Sequence, residues 1–192
     1  RTVSGSLRGL ELKHFTAIDR LLSDGTTGSK ISLPNFLEAN LSKGFLLISL
    51  AGATDLPRPD EIIITAPGSY QLTNGITVII EKSAFPEMIN GTPPEITYVD
   101  VAKAPFPWLI RGVNCGERIS PIGMTGSRLA SDILSESGIP VQMRTAVPVL
   151  CCGRDPLWLA GFRRTGFASV TQDSGEVVKV TAKGMELLSV FR

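Results

Sequence analysis

The sequence is poor in the residues that most often carry catalysis or bind metals. It contains one histidine and three cysteines in 192 residues, and Cys115, Cys151 and Cys152 lack the Cys-x-x-Cys and Cys…His spacings of zinc sites. We therefore expect no metal site. Three cysteines cannot form a closed set of disulfides, which favours a reducing compartment and a cytoplasmic protein. No apolar run approaches the ~18 residues that a membrane-spanning helix needs, so no membrane partner is expected.

The composition is typical of a folded protein. Hydrophobic residues make up 43% of the chain and charged residues 19%, which excludes the low hydrophobicity and high net charge of disordered chains. The sequence begins with Arg1 instead of Met and lacks the charged and then apolar pattern of a signal peptide. We interpret it as part of a longer protein.

The small net charge of +1 hides an uneven distribution. Residues 1–100 carry eight basic and eleven acidic side chains, whereas residues 101–192 carry eleven basic and seven acidic ones. From Arg111 to Arg164 every basic residue is an arginine, the side chain best suited to phosphates and base edges. This asymmetry indicates an anionic partner, although a solvated, mildly basic surface would give the same count.

Residue periodicity predicts an α+β fold that is mainly β, with two β-rich units and few helices. Apolar residues at three- and four-residue spacing from Leu7 to Leu21 predict a helix that ends at Gly25. Short apolar or alternating runs bounded by turn residues predict strands. These are Phe45–Leu50, Glu61–Thr65, Ile76–Glu81, Glu95–Val101, Trp108–Arg111, Val147–Cys152, Leu157–Phe162, Glu176–Thr181 and Glu186–Phe191.

A proline-rich run, Ala104-Pro105-Phe106-Pro107, is the best candidate for a domain junction. We therefore expect one domain over residues 1–103, with a helical start followed by a β-rich unit, and a second over residues 104–192. The two halves could still share one sheet.

The most informative segment runs from Arg111 to Pro140, where a strand leads through a glycine-rich loop into a helix. Thr125 or Ser127 is the expected N-cap, and Gly138 the residue that ends the helix. Unpaired backbone N–H groups at such a helix start favour an anion. Alternatively, the glycines simply permit tight turns and the arginines pair locally, Arg128 with Asp132 at i,i+4. The loop matches neither a Walker nor a Rossmann motif.

The same segment resembles a known family. The run Gly-Glu-Arg-Ile-Ser-Pro-Ile-Gly-Met-Thr-Gly-Ser-Arg at residues 116–128 is similar to the Gly-Asp-Arg-Phe-x-Pro-Leu-Gly-Met-x-Gly-x-Lys signature of the C-terminal domain of tRNA(Ile)-lysidine synthetases. The similarity continues through Val147-Pro148-Val149-Leu150 to residues 158–163, and Lys30-Ile31-Ser32-Leu33-Pro34 resembles the tail of the central domain. Glu117 and Ile119 depart from the usual Asp and Phe, and Leu129 replaces a usual Lys.

The resemblance implies a function for the longer protein. The family's enzymes use ATP, with Mg, and free lysine to convert the wobble cytidine of tRNA(Ile) to lysidine by attachment at C2. The Ser-Gly-Gly-x-Asp-Ser phosphate loop of their N-terminal domain is not found in this sequence. The chain is therefore expected to be the tRNA-binding part, with no catalytic residue and no cofactor of its own. Residues 1–103 would include the end of the central domain.

Residues 104–192 would then bind the tRNA acceptor stem, in a fold like the domain shared with the β-chain of phenylalanyl-tRNA synthetase. The predicted RNA-binding residues are Arg111, Arg118, Gly123, Gly126, Ser127, Arg128, Arg144 and Arg163. Asp132 is expected to orient Arg128. Two alternatives stay open, a protein-interaction or homodimerisation module and a small phosphate-ligand domain that uses the loop from Gly116 to Arg128.

Overall fold

The computed structural model describes residues 9–26, 28–42, 45–50, 56–86, 91–185 and 188. These residues divide into two compact units. The first takes the described residues up to Leu56 together with Pro140–Met143, and the second takes Pro57–Ile139 and the described residues from Arg144 onward. The domain boundary expected between residues 103 and 104 lies inside the second unit.

The first unit consists of a helix and an antiparallel three-stranded sheet in the order β1-β2-β3. Its elements are α1 (Leu12–Asp24), β1 (Lys30–Leu33), β2 (Leu37–Ser42) and β3 (Phe45–Leu50). α1 ends where the sequence predicts, because the Gly25 N–H donates to the Leu21 carbonyl (3.1 Å) and a Cβ at Gly25 would collide with that oxygen. Buried leucines from the helix and the first two strands form a small core with Ala39.

The second unit contains three antiparallel sheets. Their strand orders are β13-β12-β11-β8-β4, β5-β6-β14-β7 and β10-β9. The strands are β4 (Ile62–Ile64), β5 (Gly68–Gln71), β6 (Thr77–Ser83), β7 (Ile96–Asp100), β8 (Trp108–Gly112), β9 (Arg118–Ile119), β10 (Arg128–Leu129), β11 (Pro148–Cys152), β12 (Asp155–Leu159), β13 (Arg163–Arg164) and β14 (Val177–Lys183). The helix α2 (Ala130–Glu136) follows β10, and the residues of a 3-10 helix, Val141–Ala146, are divided between the two units.

Both larger sheets contain strands from either side of residue 104. β4 pairs with β8, and β14 lies between β6 and β7. The proline-rich run that suggested a junction forms the connection between β7 and β8. It starts at the fully buried Ala104, whose carbonyl accepts a hydrogen bond from the Trp108 indole (2.9 Å). Such a connection needs turn residues just as a linker does, so composition alone cannot separate the two.

The mainly β, α+β fold predicted from the sequence is confirmed. The predicted strands correspond to β3, β4, β6, β7, β8, β11, β12 and β14. β12 ends earlier than expected, at Leu159, because Gly161 has a positive φ of 74° that breaks the extended backbone. Apart from Leu188, the strand predicted at 186–191 lies outside the described residues.

Candidate nucleic-acid interface

A two-stranded ribbon holds the segment that the sequence singles out. In the β9–β10 pair, Arg118 lies opposite Leu129 and Ile119 lies opposite Arg128. Residues directly opposite each other project to the same face of a ribbon, and neighbours along a strand project to opposite faces. Ile119 is fully buried, so its face is the inner one. The ribbon therefore places Arg118 on the outer face and Arg128 on the inner face.

The glycines of this segment are required by backbone conformation. Gly116, Gly123 and Gly126 have φ values of 72°, 79° and 88°, in the left-handed region that other residues avoid. A Cβ at any of the three would meet no atom within 4 Å. The loop that joins β9 to β10 is thus open to solvent at both of its predicted site glycines.

The helix after the loop begins later than the sequence predicts. Its N-cap is Leu129, and neither Thr125 nor Ser127 caps it. Because Arg128 and Leu129 pair with β9, the chain is still extended at the positions predicted to start the helix. The N–H of Ala130, the first helical residue, donates to the Glu117 carbonyl (2.8 Å) and is not available to a ligand. The expected end is confirmed, because Gly138 follows the cap with a φ of 81°.

The Arg118 side chain is held in place by neutral groups. Its Nε donates to the Ser127 hydroxyl and its Nη2 to the Ser127 carbonyl, both at 2.8 Å. These contacts fix the plane of the guanidinium without neutralising its charge, and the side chain is exposed. Nη1 makes no hydrogen bond with the residues that the structure describes. Arg118 and Ser127, both predicted site residues, therefore form one rigid positive group on the outer face of the ribbon.

Arg128 is paired locally, but not with the expected partner. Its two terminal nitrogens donate to the Glu136 carboxylate at 3.1 and 2.5 Å. The i,i+4 rule pointed to Asp132, but that rule applies within a helix and Arg128 lies in a strand, so the prediction that Asp132 orients Arg128 was wrong. The hydrogen bond to Glu136 raises the pKa of Arg128, and the charge of Asp132 contributes only weakly.

Arg111 forms a buried ion pair at the end of β8. Its guanidinium donates twice to the Glu117 carboxylate, at 2.8 and 2.7 Å. The exposed fractions of the two side chains are 13% and 7%. Glu117 also accepts from the Asn114 N–H (2.8 Å), and its hydrogen bonds raise the pKa of Arg111. Next to this pair, burial raises the pKa of the Cys151 thiol to about 11.

Arg144 is half-buried, and its Nε donates to the Ile139 carbonyl (3.1 Å). Burial lowers the pKa of Arg144, partly offset by the charge of Asp132. A cation in this position connects the segment after α2 to the 3-10 helix. The structure thus gives Arg111 and Arg144 internal partners, whereas the sequence could not distinguish internal partners from RNA.

Arg163 lies on β13, at the edge of the five-stranded sheet. Its side chain is exposed and forms no hydrogen bond or ion pair with the described residues. Beside it lies an open groove of 330 Å³. Its lining includes Arg163, Arg164, Pro121, Ile122 and Met124.

Backbone hydrogen bonds connect the β9–β10 loop to β13. The Ile122 N–H donates to the Arg164 carbonyl (3.1 Å), and the Gly166 N–H donates to the Ser120 carbonyl (3.0 Å). The loop that follows Arg118 is therefore anchored to the strand that carries Arg163. These bonds bring six of the predicted site residues into one region of the second unit. They are Arg118, Gly123, Gly126, Ser127, Arg128 and Arg163.

The apolar residues near the site fall into two groups. Trp108, Trp158 and Phe162 are buried in the core. Ile122 and Met124 are 44% and 54% exposed on the loop. Met124 is the more exposed of these two loop residues. Its position between Gly123 and a polar stretch was the signal that it lies in a turn.

Other kinds of site find no support in the described residues. No three His, Cys, Asp or Glu side chains there come together as a metal site would require. Within the same part of the chain, no helix has the length and apolar character needed to cross a membrane.

Comparison with known proteins shows what this segment is similar to. A family model described as the TilS substrate C-terminal domain matches residues 110–180, which include every predicted site residue. A tRNA(Ile)-lysidine synthase of Geobacter sulfurreducens is 31% identical over 184 residues, and one of Clostridium tetani is 26% identical over 185 residues. The chain resembles the C-terminal part of tRNA(Ile)-lysidine synthases. The resemblance found in the sequence is confirmed.

The comparisons also set the extent of the likeness. Each of these two alignments covers 95% of this chain and 39% of the relative, so the chain spans about two fifths of the length of the curated relatives it matches. A crystal structure of a TilS C-terminal domain has a TM-score of 0.58 with 21% identity, covering 66% of this chain and 98% of that one. The likeness to that structure extends to the fold.

Proposed function

We propose that this chain is the tRNA-binding portion of a tRNA(Ile)-lysidine synthase. The whole protein would use ATP and lysine to modify the wobble cytidine of tRNA(Ile) in the cytoplasm, and this portion would position the tRNA by its acceptor stem. The relatives matched over nearly the whole chain support this proposal. In the structure, the observation that carries it is the charge of Arg118.

Arg118 has the properties of a phosphate contact. Its Ser127 partners fix the guanidinium in one orientation while leaving its charge uncompensated, so little further ordering is needed when an anion binds. Charge-assisted hydrogen bonds from arginine to phosphate are about twice as strong as neutral ones. In A-form RNA, phosphates and 2′-hydroxyls are the accessible groups, because the major groove is too narrow for side chains.

The remaining predicted residues would contribute in different ways. Gly123 and Gly126 leave the loop backbone open to an approaching strand, and Arg163 adds a second cation that lacks a partner among the described residues. Arg128 would contribute less, since its guanidinium is already paired with the Glu136 carboxylate. We propose that Arg111 and Arg144 stabilise the fold beneath the interface and do not contact RNA.

The test is the salt dependence of binding. Labelled tRNA(Ile) transcript is titrated with the 192-residue chain from 50 to 300 mM salt, and each phosphate contact is expected to contribute ~0.7–0.9 to the log–log slope. Arg118→Ala should weaken binding at every salt concentration and reduce the slope by about one. Its thermal midpoint should change little, because the side chain is exposed.

The matched control is Lys82→Ala, which removes the same charge from β6. Lys82 is 77% exposed and pairs with Glu176 at 3.3 Å, so its loss is expected to leave the slope unchanged. An equal effect of both variants would mean that only net charge matters, and an unchanged slope for Arg118→Ala would contradict the proposed contact.

A further inference from the structure

The groove beside Arg163 has features that phosphate binding alone does not explain. We call it the Met124 groove, after its exposed methionine. It measures 330 Å³ and is lined by Pro94, Pro121, Ile122, Met124, Arg163 and Arg164, with Thr92 and Phe162 completing it. Every described residue of this lining is neutral or basic. A single open groove thus combines apolar surface with two arginines and no carboxylate.

The apolar side of the groove is built into the loop. Ile122 and Met124 are exposed by 44% and 54% although they lie in a stretch of turn residues, where polar side chains are the norm. The bond from the Ile122 N–H to the Arg164 carbonyl fixes this residue against β13, and the Met124 N–H donates to the Pro121 carbonyl (3.2 Å). The backbone that carries these two exposed apolar side chains is therefore anchored next to the arginines.

The combination restricts what can bind. A paired stretch of A-form RNA offers phosphates and hydroxyls but keeps its base faces stacked, so it presents no apolar surface that could pack against the apolar side of the groove. An unpaired nucleotide offers one apolar base face and one phosphate. The base face matches the apolar side of the groove, and the phosphate matches its arginines. The groove volume lies at the lower end of the ~300–1,000 Å³ range of small-ligand pockets, suited to one such unit. Methionine adapts its shape to a flat ring and packs favourably against aromatic groups.

We infer that the Met124 groove binds one unpaired nucleotide next to the end of an RNA stem, with the base against Met124 and Ile122 and the phosphate on Arg163. This inference rests on the proposed function and names the part of the RNA that this site takes. In a tRNA, the unpaired nucleotides that follow the acceptor stem have this form. Arg118, on the ribbon that the loop connects, would hold the stem itself.

The experiment compares two RNA hairpins with the same seven-base-pair stem, one blunt and one with four unpaired 3′ nucleotides. Binding of the 192-residue chain is measured by fluorescence anisotropy at constant salt. We expect the overhang to tighten binding about fivefold, the size of a modest stacking contact. A 2-aminopurine in the overhang should change its fluorescence on binding.

Variants locate the effect. Met124→Ser should abolish the gain from the overhang and the 2-aminopurine signal while leaving affinity for the blunt stem unchanged. Ile63→Ser is the matched control, since Ile63 is 68% exposed on β4 and lies outside the groove. It should leave both affinities unchanged. Arg118→Ala should weaken binding of the two hairpins by the same factor.

The possible results separate the two proposals. Salt-dependent binding of both hairpins with equal affinity would overturn the nucleotide groove and leave the tRNA-binding function standing. The nucleotide groove would equally be overturned if Met124→Ser keeps the full gain from the overhang. Failure to bind either hairpin or whole tRNA would overturn the proposed function, and the inference with it. If the groove binds an apolar peptide instead of a nucleotide, the two hairpins should bind with equal affinity, as in the first of these results.

Discussion

The ion pair between Arg111 and Glu117 allows a quantitative test of whether Arg111 stabilises the fold or contacts RNA. Replacing Glu117 by Gln keeps the shape of the side chain but removes the charge that compensates a guanidinium only 13% exposed. One of the two contacts from Arg111 would then meet an amide NH₂ group, which cannot accept it. The Asn114 N–H, which donates to the same carboxylate, would lose its charged acceptor.

The expected cost follows from the burial of the pair. Removing one partner of a buried ion pair costs ~3–5 kcal/mol, because the other charge is left uncompensated. Arg111 retains a hydrogen bond to the Gly112 carbonyl (3.2 Å) and some exposure, so we take the lower end, about 3 kcal/mol. At ~2–4 °C per kcal/mol for a chain of this size, the thermal midpoint should fall by about 6–12 °C.

The assay is urea unfolding followed by circular dichroism, together with a thermal scan. The control is Glu176→Gln, the same change in a pair whose lysine and glutamate side chains are 77% and 54% exposed. It should cost less than ~1 kcal/mol. Combining Glu117→Leu with Arg111→Met removes both charges and should restore much of the stability lost in the single variant.

Two results would refute this reasoning. A Glu117→Gln variant within about 0.5 kcal/mol of the parent chain would mean that the pair is effectively solvated. A folded Arg111→Met variant that has lost a unit of salt slope in tRNA binding would mean that Arg111 contacts a phosphate. The second result would restore Arg111 to the interface that the sequence predicted.

Further predictions concern the second unit. The hydrogen bond from Ser174 (2.6 Å) is the main cause that holds the pKa of the buried Asp100 below its usual value. The stability that this carboxylate contributes is therefore present above the pKa of about 3.9 of the unfolded chain and lost as pH falls through the lower folded value. Urea midpoints of Asp100→Asn should vary less between pH 6 and 2.5 than those of the parent chain, and parallel curves would contradict this. At Gly112 a Cβ would collide with the Thr145 carbonyl, so Gly112→Ala should cost ~2 kcal/mol or more. Gly123→Ala puts a Cβ in open space at a strained φ, so it should cost only ~1 kcal/mol. Equal urea midpoints for the Gly112→Ala and Gly123→Ala variants would contradict the argument.

Much of the fold could be predicted because it depends on local patterns. Alternation of apolar residues located most of the long strands, and glycine and proline located the end of α1 and of α2. β2 (Leu37–Ser42) also alternates and could have been found from the same signal. The pairs β9–β10 and β13 could not, because two-residue strands carry no periodicity. Each is defined by its pairing with a partner strand, as in Trp158 opposite Arg164.

The partners of the arginines were beyond local patterns for the same reason. Arg111 finds Glu117 six residues away, and Arg128 finds Glu136 eight residues away, at spacings that no helix or strand rule relates. The i,i+4 rule failed at Asp132 because it assumed that Arg128 is helical, whereas Arg128 lies in β10 and the helix starts at Ala130. In the sequence Glu117 is only a departure from the family signature, whereas in the structure its carboxylate compensates the buried charge of Arg111.

The distribution of partners changes what the arginine-rich segment means. Counted from the sequence, its seven arginines are equal contributors to one basic surface. In the structure the charges of Arg111 and Arg128 are compensated by carboxylates, whereas Arg118 is oriented by neutral oxygens and Arg163 has no partner among the described residues. Attraction to an anion depends on uncompensated charge, and its specificity depends on orientation. We therefore propose that anion binding by this segment is concentrated at the ribbon and at β13, which backbone hydrogen bonds from the β9–β10 loop connect.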